Sequence, residues 1–145
     1  MIASVQDAAG AVVAVHRTYL ERDGRKANLA PPKASLGPVW TAAIRLDPAA
    51  PEMVVGEGIE TAASAGLMLG LPAWAALSAG NLAAALVLPA GVRTVTIATD
   101  HDRNGRKAAN DAATRWRAEG RTVHFAIPDR EGMDFNDLLR EQTNA

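Results

Sequence analysis

Two aspartates one residue apart, Asp100-His101-Asp102, follow the β-branched run at 92–99. Alternate residues leaving a strand point the same way, so Asp100 and Asp102 can converge while His101 points elsewhere. Two carboxylates that close repel, and one takes up a proton unless a cation sits between them. A hard divalent ion with oxygen ligands resolves the conflict, and Mg²⁺ or Mn²⁺ is the natural choice. The competing reading is a polar loop whose aspartates cap the following helix. Glu57 lies between two glycines, Gly56-Glu57-Gly58, after a short apolar run. A carboxylate on such a turn can hold metal or act as a general base. The plainer alternative is a tight strand-to-helix turn with an exposed glutamate. Asp134 and Asp137 follow a third β-like run at 122–127 after a short loop.

Arg103, Arg106 and Lys107 fall in the loop and first turn of the helix after Asp102, where cations oppose the helix dipole. Holding phosphate beside a metal would justify that placement; the alternative is side chains that reach solvent and pair with Asp111. Asp100-x-Asp102-x-Asn104-Gly105 with Asp111 also matches part of a calcium loop. A strand rather than a helix precedes it, Asp replaces Glu at the twelfth position, and Lys107 stands where an apolar residue packs. Gly56-x-Gly58 lacks the third glycine and the later acid of a dinucleotide fingerprint. His16 and His124 read as surface or packing residues, Ser78 and Thr61 have no visible base partner, and Trp40, Trp74 and Trp116 read as packing residues.

These groups need a scaffold, and 145 residues supply one domain's worth. With no cysteine, disulfides, thiolate metal sites and cysteine nucleophiles are excluded. No apolar run is long enough for a membrane span and no secretory signal is visible, so a cytoplasmic protein without membrane partners is expected. The net charge of −1 argues against a chain that coats nucleic acid through bulk basicity. Its distribution is uneven: six basic and three acidic residues in 1–46, one and six in 47–102, eight and seven in 103–145. An acidic middle between more basic ends suits a carboxylate site with cationic surroundings, while composition alone favours a solvated surface with uneven charge.

Asp47-Pro48-Ala49-Ala50-Pro51 reads as a stiff linker. Before it, strands are expected at 11–19, 26–30 and 43–46, the first two joined by a turn at Arg22-Asp23-Gly24. After it, the pattern predicts strands at 53–56, 73–77, 92–99 and 122–127. Helices are predicted at 59–69 and 106–119, a helical turn at 81–86, and a last helix at 135–140 with Asp134 as N-cap. Such alternation implies a parallel sheet with helices on its faces, and Glu57, Asp100 with Asp102, and Asp134 with Asp137 all fall beyond strand carboxyl ends, where open sheets bind ligands.

Strand–Gly56-Glu57-Gly58 followed by strand–Asp100-x-Asp102-x-x-Gly105-Arg106 resembles the Toprim domain, the metal-dependent catalytic fold of bacterial-type primases, topoisomerases and some nucleases. Further stretches are similar to the branch in primase and primase–helicase proteins of phages, plasmids and mobile elements. They are His16-Arg17-Thr18-Tyr19-Leu20, Pro32-Lys33 with Leu36-Gly37, Gly58-Ile59-Glu60-Thr61-Ala62, Ala76-Leu77-Ser78-Ala79-Gly80 and Asp134-Phe135-Asn136-Asp137-Leu138-Leu139. The resemblance implies an α/β fold with about four mainly parallel strands flanked by helices. Residues 51–145 would be the catalytic domain, and residues 1–50 a small N-terminal β extension that ends a primase-core-like segment.

The resemblance also implies roles. Glu57 would be the catalytic glutamate, in acid–base work or metal coordination; Asp100 and Asp102 would hold Mg²⁺, and Asp134 would support a metal. Arg106 would contact phosphate, with Arg103 and Lys107 beside it. Glu60, Asn136 and Asp137 stand near further acidic positions of the family, their roles open. Met133 stands where this branch is expected to carry a basic residue. The implied chemistry is primase-like nucleotidyl transfer with single-stranded DNA template and nucleotides as partners, beside a helicase or further primase modules. Two alternatives stay open: a stand-alone metal-dependent nuclease, and a non-catalytic module that binds nucleic acid or a helicase. Topoisomerase chemistry also needs a dedicated tyrosine, and Tyr19 has no reason to serve. A cysteine-based zinc module and a Walker A sequence are both absent.

Overall fold

The computed structural model describes residues 1–100, 102–130 and 132–143. Its centre is a five-stranded sheet in the order β4-β6-β5-β7-β8. The strands are β4 (Ile44–Arg45), β5 (Glu52–Gly56), β6 (Ala73–Ala75), β7 (Thr94–Ala98) and β8 (Thr122–Ala126). Strands β6, β5, β7 and β8 run parallel, and β4 closes one edge antiparallel to β6. The four parallel strands match the predicted sheet. The fifth comes from the segment before the linker, so residues 1–50 contribute a strand to the central sheet as well as forming an appendage.

Four helices accompany the strands: α1 (Ile59–Leu69), α2 (Ala79–Ala84), α3 (Arg103–Ala118) and α4 (Phe135–Thr143). Burial follows the two-residue strand period. Met53 and Val55, Trp74, and Val95 and Ile97 enter one core with Leu82, Leu86, Ala109, Ala112 and Trp116 from α2 and α3. Val54, Ala73, Ala75 and Ala98 face a second core with Ala62 and Ala65 of α1 and Phe135 of α4. Strands covered on both faces read as continuous apolar runs, as Met53-Val54-Val55 does. Many alanines let the helices lie close to the sheet. At Gly56 an added Cβ would come within 2.8 Å of the Ala62 backbone nitrogen. Gly56→Ala therefore pushes α1 off β5 and is expected to lower stability by about 1–3 kcal/mol, read as a lower urea midpoint at unchanged m-value.

The N-terminal sheet has the order β1-β2-β3, all antiparallel: β1 (Ile2–Gln6), β2 (Val12–Thr18) and β3 (Lys33–Leu36). The strand predicted at 26–30 does not form; residue 26 makes only an isolated bridge to Leu20. The turn at 22–24 closes a short hairpin, with Glu21 N–H on Arg25 O at 2.7 Å. The chain regains a partner on β2 only after Pro31 and Pro32, which have no N–H to donate. Strand β1 was not predicted. Its Val5 joins Ala14 in the second core, and the Gln6–Ala43 bridge ties the small sheet to the segment leading into β4. Asn81 is fully buried and fastens the same region: its amide donates to Ala42 O and Ala76 O and accepts from Thr41 N–H.

Candidate active site

In the sheet order, β5 is flanked by β6 on one side and β7 on the other. The chain leaves β5 for β6 and later reaches β7 across it, which makes the β5–β7 gap the topological switch point. Glu57 leaves β5 and Asp100 leaves β7, so both carboxylates stand at the mouth of that gap. They line one open cleft of about 540 Å³ with Asp102, Asp134, Asn136 and Glu60. The sequence-expected acidic positions are thus brought together from three strand ends.

Each carboxylate has a different setting. Leu77, after β6, carries a φ of 74°, uncommon for a bulky residue. In that conformation its N–H reaches Glu57 O at 2.8 Å, while Ala76 N–H holds Gly56 O at 2.8 Å. Backbone strain at Leu77 thereby fixes the Glu57 turn. Asp102 is the N-cap of α3, its Oδ1 accepting from Gly105 N–H at 2.8 Å. A Cβ at Gly105 would lie 2.9 Å from Thr99 Oγ1 and 3.1 Å from Asp102 Oδ2, so a side chain there would displace the cap. The capping reading of the aspartates therefore holds for Asp102. Asp100 is not that cap, and among the described residues its Oδ1 is buried without a hydrogen-bond partner. Burial pushes the Asp100 carboxyl above the ordinary carboxylate range, and the charges of Asp134, Asp102 and Glu57 push the same way. Asp134 caps α4 as expected: its Oδ1 accepts from Asp137 N–H at 2.8 Å, and Asp137 Oδ2 accepts in return from Asp134 N–H at 3.4 Å. Asp137 is thereby a capping partner of Asp134. His101 lies outside the described residues.

Among the described residues, no three acidic or histidine side chains are gathered closely enough to hold one ion. That arrangement is unlike a calcium or zinc cage. It fits Mg²⁺, which keeps several waters and is held by one or two carboxylates together with substrate phosphates. The orphaned Asp100 oxygen, half-buried among like charges, has the donor chemistry such an ion takes. The calcium-loop alternative fails directly, because α3 begins at Arg103 and Asp111 lies within that helix, paired to Lys107 Nζ at 2.6 Å.

Arg25, Lys26 and Lys33 from the N-terminal segment and Arg140 from α4 line the cleft with the carboxylates, whereas Arg103, Arg106 and Lys107 are not among its lining residues. Lys26 Nζ reaches Glu60 at 3.0 Å, so Glu60 pairs across the cleft wall. Arg103 and Lys107 are exposed on α3, and Arg106 lines a separate hollow with Phe125 and Ile127. The signal for the cleft cations was the basic excess of residues 1–46, which gives a sign but no positions. Beside Lys33 lies His16, buried and bonded through Nδ1 to Ser35 Oγ at 2.8 Å. Burial and the Lys33 charge lower its pKa against the opposing pull of Glu60. The unfolded chain then binds the proton more readily, so the stability due to neutral His16 is present above about pH 6.5 and is lost as pH falls below it. His16→Gln is expected to flatten the stability–pH curve below pH 6.5, read by urea titrations at pH 7.5 and 5.5.

Comparison with known proteins gives the chain's family and fold. A domain of unknown function matches residues 1–46. A search for curated proteins of similar sequence gave no match. Among solved structures, the primase fragment of the bacteriophage T7 primase-helicase protein superposes with a TM-score of 0.68 at 19% identity, covering 99% of this chain and 58% of that one. A DNA primase domain from Pseudomonas aeruginosa gives 0.61 at 21%, covering 96% and 46%. The RNA polymerase domain of the Mycobacterium tuberculosis primase gives 0.56 at 20%, covering 95% and 52%. The chain thus has the fold of primase domains and spans about half the length of those structures. The Toprim domain model matches residues 52–145, from the start of β5 onward and so across all the acidic positions of the cleft; the chain belongs to the Toprim family.

Proposed function

We propose that the chain carries out Mg²⁺-dependent nucleotidyl transfer on nucleic acid, primase-like, as the catalytic part of a primer-synthesising apparatus. The observation that carries this reading is the β5–β7 cleft. Five carboxylates line it, one with an oxygen that is buried and unsatisfied among the described residues, together with four cations contributed mainly by the N-terminal segment. Asp100 and Asp102 would hold the metal beside substrate phosphates, with Asp134 in support through its charge and Glu57 as general base or as a further ligand drawn in when the metal binds. Bound there, Mg²⁺ or Mn²⁺ supplies charge neutralisation at the reacting phosphate. Lys26, Lys33, Arg25 and Arg140 bind and orient the phosphates of a nucleotide across the cleft. Glu57 takes the proton of the attacking hydroxyl as that oxygen bonds to phosphorus and the bond to the leaving phosphate breaks.

The partners are single-stranded DNA template and nucleotides, with a helicase or further primase modules beside them; the T7 relative is itself a primase-helicase. We place the division between extension and catalytic domain at 50/51. We keep a cytoplasmic location without membrane partners as part of this reading; among the described residues no helix is long and apolar enough to cross a membrane.

The test is incubation with single-stranded DNA, labelled ribonucleotides and Mg²⁺, beside Glu57→Gln. Label incorporated by the wild type and lost in the variant supports nucleotidyl transfer. Strand shortening without incorporation replaces it with a nuclease. DNA retention that is indifferent to Mg²⁺ and to Glu57 replaces it with a binding module.

A further inference from the structure

Beyond the carboxylate cleft, a second hollow of about 260 Å³ opens on the α3 side of the sheet, lined by Thr99, Arg106, Ala109, Asn110, Phe125 and Ile127. We propose that it is a stacking subsite for one base of single-stranded nucleic acid, entered by the same strand that crosses the cleft; this rests on the nucleic-acid reading above.

Position comes first. Thr99 N–H donates to Ala126 O at 3.1 Å, extending the β7–β8 ladder one residue beyond β7. Thr99 lines this hollow and Asp100 lines the cleft, so successive residues of one strand end face the two sites. The two sites open on opposite faces of the sheet at the same strand end, so a polynucleotide passes from one to the other around the carboxyl end of β7. Composition comes second. Phe125 and Ile127, alternate residues at the end of an edge strand, are 39% and 37% exposed, although the same face carries Val123 into the core. An aromatic ring beside an aliphatic side chain offers a flat apolar wall to any base, which is how sequence-tolerant single-strand sites are built. The Arg117 guanidinium, 5.7 Å from the ring centroid and bonded to Val123 O at 3.1 Å, braces Phe125 in place.

Polar groups complete the site. Arg106 and Asn110 lie one turn apart on α3 and both line the hollow. Asn110 offers an amide that donates and accepts, suited to a base edge, and Arg106 offers a guanidinium suited to phosphate. Arg103, exposed one turn earlier, extends the basic row toward Asp102 and the cleft. The placement of cations at the start of α3, unfavourable for the helix dipole, thereby gains a purpose outside the metal site. The volume lies below the roughly 300 Å³ where pockets for drug-sized ligands begin. It suits a single ring rather than a whole nucleoside triphosphate, so the occupant is a base within a strand.

The experiment uses oligothymidylate in EDTA, with anisotropy for affinity, and a 5-iodouracil oligonucleotide for photocrosslinking and peptide mapping. Phe125→Leu keeps apolar bulk and is expected to bind about tenfold more weakly, with Phe125→Trp restoring affinity. Arg106→Gln is expected to lower the slope of log K against log salt by about 0.7. The crosslink is expected on the β8 peptide carrying Phe125. Melting curves of all variants separate a binding loss from unfolding. Crosslinks confined to cleft peptides, with binding by Phe125→Leu unchanged, overturn the subsite and leave the primase-like reading standing. Crosslinks at Phe125 with no metal-dependent incorporation support the subsite and overturn that reading alone. No binding of single strands at any concentration overturns both.

Discussion

Magnesium at a hundredfold excess over its dissociation constant is expected to stabilise the wild-type chain by about 2.7 kcal/mol. For a domain of this size that is about 10 °C in melting temperature. The expectation comes from Asp100. Among the described residues its Oδ1 is buried without a partner, its carboxyl is held above the usual range by burial, and three further carboxylates repel it. The metal-free fold therefore carries an unfavourable charge that a divalent cation neutralises. Asp100→Asn removes that charge and keeps the shape. The variant is expected to melt above the metal-free wild type and to gain nothing from Mg²⁺ or Mn²⁺. A residue that merely filled space would show neither change, and a residue needed for folding would lower the melting temperature. Scanning calorimetry of both proteins, in EDTA and in metal, reads all four values.

Glu57→Gln is expected to lower the rate of nucleotide incorporation by about 10²–10⁴-fold, the range lost when a positioned acid–base group is removed. Stability is expected to change by no more than about 0.5 kcal/mol. Glu57 is half-buried, and what fixes its turn is backbone: Leu77 N–H on its carbonyl and Gly56 against α1. Neither depends on the carboxylate. The metal dissociation constant of the same variant separates the two roles of Glu57. An unchanged constant with a collapsed rate identifies a general base, and a weakened constant identifies a ligand. Single-turnover incorporation with limiting template keeps product release out of the comparison.

The Toprim part was legible because its signals are local. Helix α1 at Ile59–Leu69 coincides with the run predicted from apolar spacing and the closing glycine, and β5, β7 and β8 fall inside or within one residue of continuous apolar or β-branched runs. The ends of those strands place Glu57, Asp100, Asp102 and Asp134 near one another on pattern alone, since an open parallel sheet gathers the carboxyl ends of its strands at one edge. The N-terminal half was less legible because its pairings are long-range. Nothing local in Ile2–Gln6 announces a partner at 12–18, and the choice of Lys33–Leu36 over 26–30 follows from prolines and from which segment β2 can reach. Strand β4 is two residues long and acquires its place only against β6. The same distance hid the cleft cations. Arg25, Lys26 and Lys33 lie 24 to 35 residues before Glu57 and Glu60, and only the fold of the small sheet against the start of α1 brings them into one cleft with the carboxylates. Sequence reading drew Arg103, Arg106 and Lys107 to the metal because they follow the aspartates in the chain; a helix that starts at Arg103 carries them along its own axis instead.

The central claim, a divalent-metal site built on the Asp100 strand end, is tested most directly by titrating Mg²⁺ and Mn²⁺ into the wild type and into Asp100→Asn/Asp102→Asn by isothermal calorimetry. Asparagine at 102 can still accept from Gly105 N–H, so the cap of α3 survives the change. Saturable binding to the wild type that disappears in the folded double variant is the predicted result. Absence of binding to the wild type at millimolar metal, or binding that the double variant retains, would contradict the account.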